Sequence, residues 1–367
     1  MFRTIGICFF IIFTLQACNS TKTCKGDECK CTFETCGSSC CASGEVCKAG
    51  VCCKPDCAGK VCGQDTVCGT ICGSCSEDKA CSAQGQCGVL PTWKEVPSST
   101  TSDIYGIWGS AANDIWAVGQ DGEVVHYDGS TWTKVPSFTT KWLQAIWGSA
   151  ANDIWAVGQN GEVFHHDGST WTKVSSPTTE SLRGIWGSAA NDVWAVGRQG
   201  TIVHYDGSKW SLIPQPTTHR LQAIWGSAAN DIWAVGGFMQ WVQVIFRFDG
   251  SKWAEVPTPT INELNGIWGS GANNIWAVGD NGQLVYFDGS KWSKVSSPVW
   301  GTLNGIWGSA ANDVWAAGHQ GGIVHYNGST WTNGSSPTTK ELNNIWGSAG
   351  NDVWVVGEGG IILHYSP

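Results

Sequence analysis

Histidine recurs at one position of a repeated sequence, where it could supply ligands to a metal ion. The residues are His126, His165, His204, His325 and His364, and two further repeats have Arg247 and Tyr286 there. Zinc requires three or four ligands at about 2.0–2.3 Å from one point. Repeats that each form their own sheet would hold these side chains apart. We therefore expect no metal and no cofactor, and we expect each histidine to hydrogen-bond to a neighbouring strand or turn.

Tyrosine also occurs in five of the seven repeats, which raises the question of catalysis. The residues are Tyr127, Tyr205, Tyr286, Tyr326 and Tyr365. A sialidase-like site would combine a tyrosine nucleophile with converging arginines and carboxylates. No acid–base pair stands out beside these tyrosines, and one residue per repeat does not make one site. The sequence therefore predicts that the protein is not an enzyme, and a glycan-processing enzyme is the least favoured alternative.

A group of basic and aromatic residues departs from the repeats and is the main candidate for ligand binding. The basic members are Arg183, Arg198, His219 and Arg220, and the apolar members are Trp142, Phe238, Met239, Trp241 and Trp300. Aromatic rings stack on the apolar faces of sugars, and arginine forks bind carboxylate or phosphate. These residues predict a site for an anionic glycan or glycolipid. The alternative is a solvated loop with chance clustering, or a hairpin that packs on itself.

The candidate residues lie within a repeat region. Its motif, Ile-Trp-Gly-Ser-x-x-Asn-Asp-Ile/Val-Trp-Ala-Val-Gly, occurs seven times with small variations. Its first tryptophan recurs every 39 residues, apart from one interval of 43: Trp108, Trp147, Trp186, Trp225, Trp268, Trp307 and Trp346. A period near 40 with glycine- and asparagine-rich turns is typical of propeller blades. The predicted fold class is mainly β, a seven-bladed β-propeller over residues 91–367. In the second repeat, strands a to d are predicted at 143–148, 154–157, 162–166 and 171–174.

The two ends of the repeat region predict how the ring closes. A strand like the outermost strand d occurs at Trp93, before any strand a, and the last repeat reaches Pro367 without a strand d. We expect the N-terminal strand to pair with the last blade, which removes exposed sheet edges. The three tryptophans of each repeat are expected to stack between blades. The Asn-Asp pair before strand b, and the Asp or Asn after strand c, are expected to cap turns.

A four-stranded meander places its connections at opposite ends of each blade. The a–b and c–d turns, such as 149–153 and 167–170, form the constant face, whose sequence barely changes between repeats. The b–c turns and d–a connections, such as 158–161 and 175–181, form the variable face. The candidate residues map to the variable face or its margin. Arg183 and Arg220 are assigned to d–a connections, Arg198 to a b–c turn, and an insertion of four residues to the b–c turn of the fourth blade.

The N-terminus predicts export and lipid anchoring. Residues 1–17 combine Arg3 with an apolar run too short to span a bilayer, which is typical of a signal peptide. The run ends in Leu15-Gln16-Ala17-Cys18, which resembles the lipobox of bacterial lipoproteins. The resemblance implies lipidation of Cys18 and a tether, residues 18–23, to an outer membrane or cell surface rather than an inner membrane. Ordinary secretion with cleavage nearby is the alternative.

Residues 24–88 are expected to form a small disulfide-rich segment. Sixteen of the 18 cysteines lie between Cys24 and Cys87. A dense, even set in an exported chain is typical of a disulfide framework, and a thiolate metal cluster that includes Cys29 and Cys31 is the alternative. The stretch from Cys36 to Cys52 resembles the Dickkopf-like cysteine-rich segments of secreted proteins, and we expect it to act as a cross-linked stalk.

The repeat itself resembles the blades of tectonin-type propeller lectins. In the second repeat the matching residues are Gly148-Ser149, Ile154-Trp155, Asp167-Gly168 and 171–174. The resemblance implies carbohydrate binding at the blades. A formal net charge of −9 makes nucleic acid an unsuitable partner. We therefore expect a non-catalytic binding module, either a scaffold or adhesin for an envelope or extracellular protein, or alternatively a surface lectin.

Overall fold

The computed structural model describes residues 91–238 and 242–367, together with eight short strands between residues 23 and 89. The chain divides into two compact units, Met1–Leu90 with Pro367, and Pro91–Ser366. The short strands of the first unit form four antiparallel pairs: Thr23–Lys25 with Glu28–Lys30, Val46–Lys48 with Val51–Cys53, Gly63–Gln64 with Ile71–Gly73, and Lys79–Cys81 with Cys87–Val89. The predicted signal peptide, the lipidation of Cys18 and the predicted disulfides lie outside the described residues. No helix in the described ranges is long and apolar enough to cross a bilayer.

The second unit is a closed ring of seven four-stranded antiparallel sheets, so the predicted seven-bladed β-propeller is confirmed. Strand a of each blade contacts strand a of the next, and blade 7 contacts blade 1. The strands a to d are Ile104–Ala111, Asp114–Gly119, Val124–Tyr127 and Trp132–Lys134 in blade 1; Leu143–Ala150, Asp153–Gly158, Val163–His166 and Trp171–Val174 in blade 2; Leu182–Ala189, Asp192–Gly197, Ile202–Tyr205 and Trp210–Leu212 in blade 3; Leu221–Ala228, Asp231–Phe238, Val242–Phe248 and Trp253–Glu255 in blade 4; Leu264–Gly271, Asn274–Gly279, Gln283–Phe287 and Trp292–Val295 in blade 5; Leu303–Ala310, Asp313–Gly318, Ile323–Tyr326 and Trp331–Asn333 in blade 6; and Leu342–Ala349, Asp352–Gly357, Ile362–Ser366 and Thr92–Glu95 in blade 7.

Blade 7 takes its outer strand from the start of the propeller. Thr92–Glu95 pairs antiparallel with Ile362–Ser366, with Trp93 opposite Tyr365. The Trp93 ring also meets Trp315 of blade 6 edge to face, with centroids 5.7 Å apart. The two ends of the propeller are therefore held in one sheet.

Tryptophans stack between neighbouring blades, as the repeats predict. Trp155 of blade 2 meets Tyr205 and Trp210 of blade 3, with ring centroids 4.8 and 5.5 Å apart. The strand-a tryptophan of each blade lies over a glycine of the next: a Cβ on Gly148 would stand 2.7 Å from Cη2 of Trp108. Strand b is buried on both faces because blades cover it on each side. The Ile-Trp-Gly spacing therefore serves contact between blades.

The aspartate before strand b does more than cap a turn. In blade 3, Asp192 accepts hydrogen bonds from the Ser188 hydroxyl, from Nε1 of Trp194 at 2.9 Å and from Nε2 of His204 at 2.7 Å. These donors come from strands a, b and c, so one carboxylate ties three strands together. The prediction that the histidines bond to a neighbouring strand or turn is confirmed. Their partner is this aspartate, which the sequence interpretation had assigned to the turn.

The two repeats that lack histidine show how this cluster tolerates change. In blade 4, Nε of Arg247 donates to Asp231 at 2.7 Å, so a guanidinium donor replaces an imidazole donor. In blade 5 the pair becomes Asn274 and Tyr286, and the tyrosine ring packs on Trp276 with centroids 4.6 Å apart. Both members change together because a carboxylate that loses its side-chain donor would be costly to bury.

The c–d turns are capped by a carboxylate, as predicted. Oδ1 of Asp128 accepts hydrogen bonds from the backbone N–H groups of Ser130 and Thr131 at 2.8 and 2.9 Å. The Ser130 hydroxyl also donates to it at 2.7 Å. The hydroxyl first, and then the two backbone donors, lower the pKa of Asp128 to about 2. In blade 6 Asn327 makes the same bonds, so the cap depends on the side-chain oxygen.

Candidate ligand-binding surface

The b–c turns and d–a connections lie together at one end of the blades, which is the variable face. In six blades the b–c turn is a single 3-10 turn; in blade 2 it spans Gln159–Gly161. Its last residue must be glycine: Gly161 has a φ of 69°, and a Cβ there would stand 2.1 Å from the carbonyl oxygen of Thr178. Gln159 N–H donates to the carbonyl of Trp142 at 2.9 Å. Each turn therefore sits between two connections, and side chains on these segments line the clefts between blades.

A ring of polar side chains surrounds the mouth of the central channel at this face. It consists of the second residue of each strand a: Tyr105, Gln144, Arg183, Gln222, Asn265, Asn304 and Asn343. They border a cavity of about 290 Å³. The next residue is small in six blades because the inner strands approach closely; a Cβ on Gly184 would stand 3.0 Å from Cα of Ala223. Sequence reasoning missed this ring, although the polar position lies between Leu and Gly or Ala in five of the seven repeats.

Half of the ring ties neighbouring blades together. The side-chain amides of Asn304 and Asn343 donate to the carbonyl oxygens of Leu342 and Ile104, at 2.9 and 2.8 Å. Asn265 makes a longer bond of the same kind, 3.4 Å, to Leu303. In blades 5, 6 and 7 the polar residue therefore has a structural role.

In blades 1 to 3 the equivalent position of the ring is occupied by other residue types. Blades 1 to 3 present Tyr105, Gln144 and Arg183, and within the described residues none of them makes the cross-blade bond. The Tyr105 ring lies 5.6 Å from that of Trp142, tilted by 32°. Burial, with Asp103 and Asp121 nearby, raises the pKa of Tyr105 to about 12. On this side of the channel mouth the polar residues do not tie neighbouring blades together, so it is the candidate for binding.

Arg183 is the most unusual member of the ring. Its Nε is inaccessible to solvent and has no hydrogen-bond partner among the described residues. Burial lowers the pKa of its guanidinium, repulsion from Arg220 and Arg198 lowers it further, and attraction to Glu263 offsets part of this shift. A partly buried guanidinium without a directly bonded anion is unfavourable. The sequence interpretation placed Arg183 on a d–a connection; it is instead the second residue of strand a in blade 3, because that strand begins at Leu182.

Arg220 differs from Arg183 in having a carboxylate partner. Its Nε and Nη2 donate to the two carboxylate oxygens of Glu263 at 2.7 and 2.6 Å, and Glu263 is buried. Gln222 donates to the same carboxylate at 3.0 Å. This bidentate pair joins the connections of blades 4 and 5. Arg220 lies on a d–a connection, as predicted, but its charge is largely neutralised.

A cleft of about 510 Å³ runs from blade 1 to blade 3 beside the channel mouth. Its aromatic members are Tyr105 and Trp142, and its cations are Lys141, Arg183 and Arg198. Trp142 is partly exposed, and its indole N–H donates to Asp121 at 3.2 Å, which fixes the ring. Cavities of this size take small ligands.

Amide and hydroxyl groups complete the lining of the cleft. Gln144, Gln159, Asn160 and Ser181 are the remaining members, and no carboxylate lines the cleft within the described residues. Amides and hydroxyls both donate and accept hydrogen bonds. The cleft can therefore accommodate an anion, a ring and several hydroxyl groups at once.

A second hollow adjoins the cleft at Arg198. It has a volume of about 440 Å³ and is lined by Arg198, Gln199, Thr218, His219 and Arg220. Arg198 is exposed and begins the b–c turn of blade 3, as predicted. The structure thus brings together Trp142, Arg183 and Arg198 in the cleft, and Arg198, His219 and Arg220 in the hollow.

The remaining candidates are Trp300 and the residues of the blade 4 hairpin. Trp300 is 89% exposed on the connection into blade 6, on another part of the variable face. The four-residue insertion extends a hairpin of blade 4, in which Phe238 pairs with Val242 through the backbone. The side chain of Phe238 and residues Met239 and Trp241 lie outside what the structure describes. Among the described residues, the basic and aromatic side chains of this group meet on blades 1 to 3, with the hollow at their edge. The part of the expected patch on the blade 4 hairpin stays a prediction.

Comparison with solved structures shows the same fold in proteins of low sequence identity. YCF48 from Cyanidioschyzon merolae matches with a TM-score of 0.63 and 19% identity, over 75% of this chain and 99% of that one. A structure of YCF48 bound to D1 peptide matches with a TM-score of 0.63 and 18% identity, over 76% and 97% of the two chains. The WD40 repeats of RRP9 match with a TM-score of 0.62 and 8% identity, over 76% and 98%. No protein-family model and no curated protein matches the sequence. These likenesses establish the β-propeller fold of residues 91–367.

Proposed function

We propose that this chain is a non-catalytic binding module that engages a macromolecular ligand through its variable face. The observation that carries the proposal is where large apolar side chains meet solvent. Of the four that are exposed among the described residues, three lie on d–a connections of the variable face: Trp142, Ile261 and Trp300. The fourth, Leu212, lies on the outer strand of blade 3. Exposed aromatic and aliphatic groups gathered on one face are typical of interaction surfaces.

The state of the titratable groups supports a role without catalysis. Five of the histidines are engaged by aspartates of their own blades, for example His126 with Asp114 at 2.7 Å. Burial raises the pKa of Tyr127, Tyr286 and Tyr365, whereas a tyrosine nucleophile needs the opposite shift. Each of these histidines joins two strands of its blade, and the tyrosines are not activated as nucleophiles, which supports a structural role for both.

An envelope or extracellular protein is the first candidate partner. The exposed apolar side chains stand on blades 2, 5 and 6, so they span more of the face than a small molecule covers. YCF48, which has the same fold, binds a peptide. A surface glycan is the second candidate, because the cleft combines aromatic rings, cations and amides.

Export and lipid anchoring complete the proposal. The apolar run before Cys18 and the lipobox-like Leu15-Gln16-Ala17-Cys18 support attachment of the mature chain to a membrane surface.

The proposal is tested by binding of the purified full chain to immobilised envelope extract. Trp300→Ser and Ile261→Ser should each weaken binding by about tenfold, a change of about 1.4 kcal/mol. Leu212→Ser is the matched control, since it removes an exposed apolar side chain on an outer strand rather than on a connection, and it should bind like the unaltered chain. Loss of signal after protease treatment of the extract identifies a protein partner, and loss after deglycosylation identifies a glycan. No binding by the unaltered chain, or equal losses in all three variants, would refute the proposal.

A further inference from the structure

We propose that the cleft between blades 1 and 3 binds a sugar that carries a carboxylate, with Arg183 as the group that recognises the charge. The inference rests on the proposed binding function and specifies the ligand class for one part of the variable face. It differs from the expectation raised by the sequence, because Arg220 and the blade 4 hairpin are replaced by Tyr105, Gln144 and the strand-a position of Arg183.

The first argument is the unsatisfied charge of Arg183. Its Nε is shielded from solvent without a partner, while the neighbouring Arg220 has both oxygens of Glu263. Arg183 and Arg198 both line the cleft, and no carboxylate among the described residues lines it with them. A planar carboxylate matches the donor fork of a guanidinium and would satisfy it. The missing partner of Arg183 is therefore an anion supplied by the ligand.

The second argument is that Arg183 lacks the hydrogen bond to the next blade that the equivalent asparagines make. The equivalent residues Asn304 and Asn343 hold the next blade by hydrogen bonds of 2.9 and 2.8 Å. Arg183 takes the same position without that bond. If the residue at this position served only to keep the surface of the protein soluble, an exposed lysine or glutamate would be expected there. A long cation with a shielded Nε at a position that elsewhere serves packing indicates a role outside packing.

The third argument is the shape and chemistry of the rest of the cleft. The rings of Tyr105 and Trp142 lie against each other at 5.6 Å, and the bond from Trp142 to Asp121 holds the indole in place. A fixed, partly exposed aromatic surface suits the apolar face of a pyranose. Gln144, Gln159 and Asn160 offer amide groups for hydroxyls, and the volume of about 510 Å³ accommodates one or two sugar rings. A peptide carboxylate would satisfy Arg183 but would make less use of three amides beside an aromatic wall.

The test uses the full chain and two matched pairs of ligands, the methyl glycosides of glucuronic acid and glucose and those of galacturonic acid and galactose. The members of a pair differ only in whether C6 is a carboxylate or a hydroxymethyl group. Dissociation constants are measured by ligand-observed NMR titration. At least one acid should bind about tenfold or more tightly than its neutral partner. Its affinity should fall as sodium chloride is raised, because the contact is ionic.

Variants locate the site. Arg183→Gln should lose the preference for the acid, and Arg183→Lys should recover only part of it, because lysine lacks the bidentate fork. Trp142→Ala should weaken acid and neutral ligand alike, whereas Trp142→Phe should retain most binding. Arg247→His is the matched control: it also removes an arginine, it restores the residue found in five other blades, and it should bind normally.

Three results would overturn the inference: equal binding of acid and neutral glycosides, an unchanged acid preference in Arg183→Gln, or binding of an acidic peptide with no binding of either uronide. None of these alters the expectation for envelope binding by the Trp300 and Ile261 variants, so the failure of this inference is distinguishable from failure of the proposed function.

Discussion

An aspartate that gathers donors from several strands recurs in six of the seven blades, and blade 5 replaces it with asparagine. In blade 7, Asp352 accepts from Ser348, from Trp354 and from His364. Burial alone would raise the pKa of Asp352, but the hydrogen bonds from His364 and Ser348 outweigh it and lower the pKa. The same net lowering holds for Asp114 and Asp313. These carboxylates stabilise the fold as anions.

Replacing the Asp–His pair of blade 7 with the Asn–Tyr pair of blade 5 should change the stability of the propeller. Asp352→Asn should lower the free energy of unfolding by about 1–3 kcal/mol, because three donors lose a charged acceptor. The double variant Asp352→Asn/His364→Tyr copies Asn274 and Tyr286 and should recover part of that loss. Urea denaturation at pH 7 measures both. A double variant less stable than the sum of the single changes would contradict the structural role assigned to the pair.

The turn aspartates predict how stability depends on acid. The pKa values of Asp128, Asp206, Asp249 and Asp288 are held at about 2, and that of Asp167 is also lowered. A carboxylate with a lower pKa in the folded state contributes stability above its unfolded pKa, near 3.9, and loses that contribution as the pH falls through the folded pKa.

We therefore expect the urea midpoint to fall between about pH 4 and pH 2. A variant with asparagine at all five turn positions should remain folded at pH 7, as Asn327 does naturally, and its midpoint should fall less over that interval. If the urea midpoint of this variant fell with pH as much as that of the unaltered chain, the turn aspartates would not contribute to the acid dependence of stability.

At the scale of strands and turns, the sequence predicted more than it did for the binding site. The strands of blade 2 lie where the period places them, except that strand a continues past Gly148 through a register shift and strand b begins at Asp153. The Asn-Asp motif was interpreted as a turn because its residue types favour turns. Register could not be read from one repeat, and it is register that puts Trp155 opposite His165 and brings that histidine to Asp153.

Close contact between blades makes the strand-a glycines sensitive to a single methyl group. A Cβ on Gly148 would stand 2.7 Å from Trp108 and 2.9 Å from the carbonyl oxygen of Asp153. Gly148→Ala should lower the free energy of unfolding by about 1–3 kcal/mol through overpacking. Gly271→Ala is the matched control, since nothing lies within 4 Å of its Cβ position and other blades have alanine there. Thermal denaturation compares the two, and equal melting temperatures would contradict the contact.

At the scale of the whole molecule, the seven-fold repeat explains why the site was only partly foreseen. Arg183, Arg198, His219 and Arg220 stood out because they break the repeat on one face. The ion pair between Arg220 and Glu263 could not be predicted from the sequence, because Glu263 lies 43 residues further along the chain, in the next blade. The polar ring around the channel was overlooked because its members differ in type, and it is the packing of blade 1 on blade 2 that brings Tyr105 next to Trp142.

The sheet that joins the two ends of the propeller should control its stability. Trp93 packs against Trp315 and Tyr365, so Trp93→Ala should lower the free energy of unfolding by about 2–4 kcal/mol. It should also favour oligomers through the freed edge of Ile362–Ser366. Trp300→Ala removes an exposed ring and should leave both properties unchanged. Urea denaturation and size-exclusion chromatography make the comparison, and a stable, monomeric Trp93→Ala chain would argue against this role.

The central claim is that ligands meet the variable face, and face-resolved photo-crosslinking in the native envelope tests it most directly. A benzoylphenylalanine is placed at Thr218 or Ser296 on the variable face and at Ala190 or Ala311 on the constant face, all of which are exposed. We expect ligand adducts from the first two positions and none from the second two. Adducts from Ala190 and Ala311 alone would show that the repeated turns bind the ligand, and would contradict the account.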